Sequence, residues 1–167
     1  SYAWSTGETG DTYTIQESDD PGDVITCTAT ATDIDLGSGT DTASATVDNT
    51  DPVIDSIIVD PATAKVGEDL TCSVVVDDVD GGTPTVSYVW STGDTGDTTT
   101  VAASDSPGDV LTCTATATDI DGGSDTATAS ATVDNTDPEL GTVSITPASA
   151  NNDDTLTCSA TATDIDG

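Results

Sequence analysis

Carboxylates are the side chains here whose number and spacing could do chemistry. Asp77, Asp78 and Asp80 crowd one segment, Asp119 and Asp121 a second, and Asp48 and Asp51 a third. Asp134 with Asp137, and Asp164 with Asp166, restate two of these groups further along. Hard oxygen donors in flexible loops suit Ca2+, which takes roughly six to eight of them. The expected cofactor is therefore Ca2+, with these aspartates as candidate ligands. The competing reading of the same residues is solvated turns, because Asp and Gly are ordinary turn formers.

Other chemistry is poorly supplied. There is no His and a single Lys, so a nucleophile has no partner base except Lys65, whose counterpart 86 residues on is Asn151. Asp94-Thr95-Gly96 has the Asp-Thr-Gly pattern of aspartic proteases, but that chemistry needs two aspartates sharing a proton. The corresponding tripeptide in the other copy is Glu8-Thr9-Gly10. No enzyme activity is expected.

The organisation that must position the acids is a repeat. Ser1-Tyr2-Ala3-Trp4-Ser5 returns as Ser87-Tyr88-Val89-Trp90-Ser91, Cys27 returns as Cys113, and Cys72 as Cys158. At an offset of 86 residues, 51 of 81 overlapping positions are identical, which reads as a tandem array. One complete unit is expected over 52–137, preceded by the back part of a copy over 1–51 and followed by the front part of another over 138–167. The chain reads as a window from a longer repeating polymer.

Composition narrows the partners. One basic residue against 32 acidic ones gives a formal charge of −31, which opposes binding to nucleic acid or anionic membrane. Phe and Met are absent and aromatics make up 3%, so each unit has a thin core and needs a covalent staple. Cys72 and Cys113, 41 residues apart within one unit, can supply it; closing that loop contributes about 4 kcal/mol on the chain-entropy view. Zinc competes for the cysteines, but the absence of His and of any closely spaced Cys pair weighs against it. A recurring disulfide implies an oxidising, extracellular setting.

Segments such as VLTCTATATDI and TATASATVDN alternate with the period of two that marks half-buried strands. Turn residues cut the complete unit into strands near 54–59, 70–76, 86–91, 98–103, 110–118 and 126–133, with an Asp-Gly-rich loop at 77–84. The fold class is all-β, built of β-sandwich modules with about seven strands each.

The order Cys72, Trp90, Cys113 resembles the immunoglobulin-like sandwich, and the resemblance covers the whole repeat. It implies a disulfide joining the two sheets with the indole packed against it. The tyrosine usual two positions before the second Cys is here Leu111. SYVWSTGDT followed by PGDVLTCTATATDIDGG is also similar to polycystic-kidney-disease-type repeats, again seven-strand sandwiches common in extracellular arrays of prokaryotic surface proteins. In such a module the chain enters at the end carrying the 77–84 and 119–123 loops, so the resemblance implies that Asp48, Asp51, Asp77, Asp78, Asp80, Asp119 and Asp121 converge at one junction. The logic is similar to the calcium junctions of cadherins, although the cadherin motif is not reproduced.

The function these readings point to is mechanical: a structural repeat of a secreted cell-surface filament that polymerises head to tail. The alternative is a calcium-dependent adhesive or glycan-binding module of a large surface adhesin. Cys27 and Cys158 have no partner within their own partial copies, so Cys158 of one copy is expected to bond Cys27 of the next.

Overall fold

A computed structural model describes residues 1–166, in which every regular element is a strand. Gly167, the last residue of the expected third segment, lies outside the described residues. In chain order the strands are β1 (Tyr2–Trp4), β2 (Val24–Thr32), β3 (Ser38–Thr46), β4 (Val53–Asp60), β5 (Thr63–Ala64), β6 (Asp69–Asp77) and β7 (Thr85–Trp90). There follow β8 (Thr98–Thr100), β9 (Val110–Thr118), β10 (Ser124–Val133), β11 (Glu139–Leu140), β12 (Ser144–Thr146), β13 (Thr157–Ser159) and β14 (Ala162–Thr163).

The central strands form two sheets, ordered β4-β6-β8 and β5-β10-β9-β7. Alternation explains β9: Leu111, Cys113, Ala115 and Ala117 are buried, while the Thr residues between them are partly exposed. Its bounds coincide with the 110–118 expected from period two. Two strands depart from expectation. The segment expected at 98–103 is strand only over Thr98–Thr100, where it pairs antiparallel with Asp69–Thr71. The two-residue β5, which the sequence reading missed, pairs in parallel with Thr132 and Val133. Two residues are too few to show a period.

The chain packs as two compact units. One comprises Ser1–Ser56, Val75–Val86 and Thr116–Ala127; the other comprises Ile57–Val74, Ser87–Ala115 and the residues from Thr128 onward. The second contains the principal core, made of Val59, Ala64, Leu70, Cys72, Trp90, Val101, Leu111, Cys113, Ala131 and Val133. Cys72 of β6 and Cys113 of β9 are disulfide-bonded with Cα atoms 6.4 Å apart, so the bond ties one central sheet to the other. Trp90 lies in the same buried cluster and donates from Nε1 to the Gly96 carbonyl at 3.0 Å. That bond satisfies the one polar atom of an otherwise apolar side chain.

Within the first unit β1, β2 and β3 make a three-stranded antiparallel sheet. Within the second, β11 pairs with β14 and β12 with β13, both antiparallel. The disulfide partners expected for Cys27 and Cys158 lie in other copies; in the chain itself both cysteines are free, Cys27 half-buried and Cys158 exposed.

Candidate functional site

The linker at 48–52 meets the two acidic loops inside the first unit, and the contacts are hydrogen bonds from linker to carboxylate. Asn49 donates its side-chain amide to Asp119 Oδ2 at 3.0 Å. The backbone amide of Thr50 donates to Asp80 Oδ2 at 2.5 Å, and that of Ile54 to Asp125 Oδ2 at 2.8 Å. The backbone amides of Thr50 and Ile54 thus find anionic acceptors outside strand pairing.

The loops are organised by the same groups. Asp119 Oδ1 accepts from the backbone amides of Asp121, Gly122 and Gly123 at 2.9, 2.7 and 2.8 Å. Asp78 Oδ1 accepts from the amide of Asp80 at 3.1 Å. These are turn-capping contacts of the Asx kind. The Asn49 amide, and then the loop amides, hold the Asp119 carboxyl below the usual carboxylate range, against the opposing pull of partial burial.

Close approach at this junction requires a glycine. A Cβ on Gly123 would stand 2.5 Å from Asp51 Oδ1 and 2.6 Å from Asn49 Nδ2, and would also collide with Asp119 Oδ2. Gly123 therefore lets the linker lie against the loop. Gly37, 86 residues earlier, would meet only the Asp33 carboxylate of its own turn.

Of the expected site residues, Asp78, Asp80, Asp119 and Asp121 share one cleft with Asn49 and Asp20, and Asp51 reaches Gly123 from the linker. Asp48 and Asp77 do not line that cleft. In the second unit Asp137 and Asp164 line a cleft with Thr136, Glu139 and Thr163. There the amide of Thr136 donates to Asp166 Oδ2 at 2.6 Å and that of Asp166 to Asp164 Oδ1 at 3.3 Å. The Thr136 amide holds the Asp166 carboxyl below the ordinary range. Asp134 does not line this cleft.

The arrangement is a set of hydrogen-bond acceptors rather than a coordination shell. Among the described residues no group of three or more His, Cys, Asp or Glu side chains is placed to hold a metal ion. Both oxygens of Asp119 and Oδ2 of Asp80 accept amides of the linker and of the 119–123 loop.

Asn49 and Asp125 were not singled out as site residues. Asn49 carried a signal, since it returns as Asn135 within the repeated Val-Asp-Asn-Thr-Asp-Pro. Asp125 carried none, because its counterpart is Gly39.

No helix among the described residues is long and apolar enough to cross a membrane. Compared with known proteins, the chain matches no family profile and has no significantly similar curated relative.

Proposed function

We propose that this chain is a structural repeat of a secreted cell-surface fibre: immunoglobulin-like sandwiches at 86-residue spacing, each stapled by a disulfide, stacked head to tail. The observation that carries the reading is the recurrence of the junction. The bond from the Thr50 amide to Asp80 is repeated by that from the Thr136 amide to Asp166, with the same acceptor atom and the same loop contact behind it. A linker held by the same Thr-to-Asp bond at successive modules transmits orientation from one to the next, which is what a filament needs and an isolated domain does not.

The inter-sheet disulfide supports an oxidising, extracellular setting, and the excess of 31 negative charges keeps the surfaces of neighbouring fibres apart. The adhesive or glycan-binding alternative has less behind it. Of the five aromatic side chains Tyr2 is exposed and Trp4, Tyr13 and Tyr88 are half-buried, which offers little surface for stacking a sugar.

Small-angle scattering tests the reading. The chain at neutral pH should scatter as an extended particle with one persistent linker geometry, and Asn49→Ala combined with Asp80→Asn should make it flexible without unfolding it. A parent chain as flexible as the variant would sink the proposal. The same comparison with calcium and with chelator decides the metal question: a gain in stiffness on adding calcium would give the acids a coordinating role.

A further inference from the structure

The turn joining β2 to β3 holds a leucine where its backbone favours a glycine. Leu36 has φ at 69°, in the left-handed region that a Cβ disfavours, and its counterpart in the β9–β10 turn is Gly122, at φ 95°. The two turns otherwise read nearly alike, Asp33-Ile34-Asp35-Leu36-Gly37-Ser38-Gly39 against Asp119-Ile120-Asp121-Gly122-Gly123-Ser124-Asp125. The second difference, Gly39 for Asp125, removes the carboxylate that takes the Ile54 amide in the other turn. One turn has thus gained a large apolar side chain and given up an acid.

No burial offsets the strain at Leu36. It is 85% exposed, and Ile34, two residues before it, is 95% exposed. A lone exposed aliphatic residue is ordinary on a protein surface. Two on one tip, one of them in a backbone conformation that resists it, point to a use outside the fold. A linker packed on this turn would leave the tip open: at 119–123, where the linker does lie against the loop, Ile120 is 98% exposed and a Cβ on Gly122 would meet nothing within 4 Å.

The tip is also ordered in advance. Asp33 Oδ1 accepts from the backbone amides of Asp35 and Gly37 at 3.0 and 2.7 Å. The Asp33 amide donates to the Gly37 carbonyl at 2.9 Å, and the Leu36 amide to the Asp33 carbonyl at 3.2 Å. A partner meets a turn whose backbone is already fixed, which lowers the entropic cost of binding.

Charge selects the partner. Asp35 stands between the two aliphatic residues, and its carboxylate makes no hydrogen bond among the described residues. Asp33 lies at the base, beside an open cleft of about 520 Å3 that Gly37 and Gly39 also line. A bilayer taking up Ile34 and Leu36 would have to take Asp35 with them, which is costly. A second copy of this chain offers one Lys and no Arg, too little to face these acids. We propose that Ile34 and Leu36 form a docking finger for a cationic protein, entering an apolar pocket whose rim of Lys or Arg pairs with Asp35 and Asp33. This goes beyond the fibre reading and does not depend on it; within a fibre it supplies a lateral point of attachment.

The test titrates the full chain, labelled at Ile and Leu methyl groups, with two helical peptides of equal length and charge. One is built of Leu and Lys, so that an apolar face is rimmed by ammonium groups, and the other has Ser in place of Leu. The Leu/Lys peptide should shift the Ile34 and Leu36 methyl resonances, and the Ser/Lys peptide should leave them in place. Leu36→Gly should weaken binding of the Leu/Lys peptide by about tenfold or more. The same variant should melt no lower than the parent, because glycine relieves the left-handed strain, so its lost binding is not lost folding. Asp35→Asn should weaken binding several-fold and make it less sensitive to salt. Vesicles of phosphatidylcholine should not bind. Equal binding by parent and Leu36→Gly, or shifts confined to the other acidic turns, would overturn the proposal. So would vesicle binding that Leu36→Gly abolishes, which would make the tip a lipid anchor, or concentration-dependent shifts at Leu36 in the chain alone, which would make a second copy the occupant. None of these results bears on scattering from the linker, so the two readings fail separately.

Discussion

Asn49 and Asp119 stand 70 residues apart in the chain and 3.0 Å apart in space, the amide of one donating to the carboxylate of the other. Through this contact the linker is attached to a loop that Asp119 has already closed on its own backbone, so the two are ordered together. An acid that reads in the sequence as a metal ligand is here the hub of a hydrogen-bond network.

That network should respond to pH in a definite direction. Asp119 is held below its ordinary range by Asn49, so its contribution is fully present above the unfolded carboxylate pKa and is lost as pH falls through the depressed folded value. Nuclear magnetic resonance of the Asn49 side-chain amide should show the contact intact at neutral pH and released in acid. Asn49→Ala should move the Asp119 titration upward, toward the unperturbed carboxylate. An Asp119 titration unaffected by Asn49→Ala would refute the assignment.

Gly123→Ala should disturb the junction directly, because the new methyl would overlap Asp51, Asn49 and Asp119. Overpacking of this kind costs about 1–3 kcal/mol. Gly39→Ala is the control, since a Cβ there meets nothing within 4 Å. Thermal melting and hydrogen exchange at Thr50 should separate the two; equal tolerance would show that the linker does not lie against Gly123.

Loss of the Cys72–Cys113 bond should be the most damaging single covalent change. It closes a separation of 41 residues, and its removal as Cys72→Ala with Cys113→Ala should cost about 4 kcal/mol by the loop-entropy estimate. Denaturant titration of the pair variant against the parent reads this out, and an unchanged midpoint would contradict it.

The two tryptophans should behave differently despite equivalent sequence positions. Both donate to a glycine carbonyl at 3.0 Å, Trp90 to Gly96 and Trp4 to Gly10. Trp90 is buried in the principal core, whereas Trp4 is only half-buried. Trp90→Ala should cost about 3–5 kcal/mol, as for other large core truncations. Trp4→Ala should cost visibly less in the monomeric chain, and indole emission should be redder for Trp4. Equal costs would refute the difference in burial between the two indoles.

Much of the fold was legible from pattern alone. Period-two alternation gave β9 to the residue, because a strand between a buried face and an exposed one must alternate. The Cys72–Cys113 pairing was legible from its spacing within one repeat, and the repeat itself from identities at an offset of 86. Strand ends were less legible: β10 begins at Ser124 rather than 126, and β8 stops at Thr100, because a strand ends where its neighbour stops supplying hydrogen bonds. β5 was invisible, since a two-residue parallel pairing depends on Thr132 and Val133 lying beside it.

By itself the sequence determined that the chain is all-β and strongly acidic, with Cys72 and Cys113 placed to staple it, since composition, alternation and spacing are properties of residue order. The tertiary structure alone decided which amides the carboxylates meet. Whether Asp80 and Asp119 face an ion or an amide depends on donors 30 and 70 residues away, and no local pattern specifies which groups the folded backbone brings within hydrogen-bonding reach. It likewise decided that Leu70 is sealed while Leu156 stands open: identical residues at equivalent sequence positions differ in burial because burial is set by what packs on them in space.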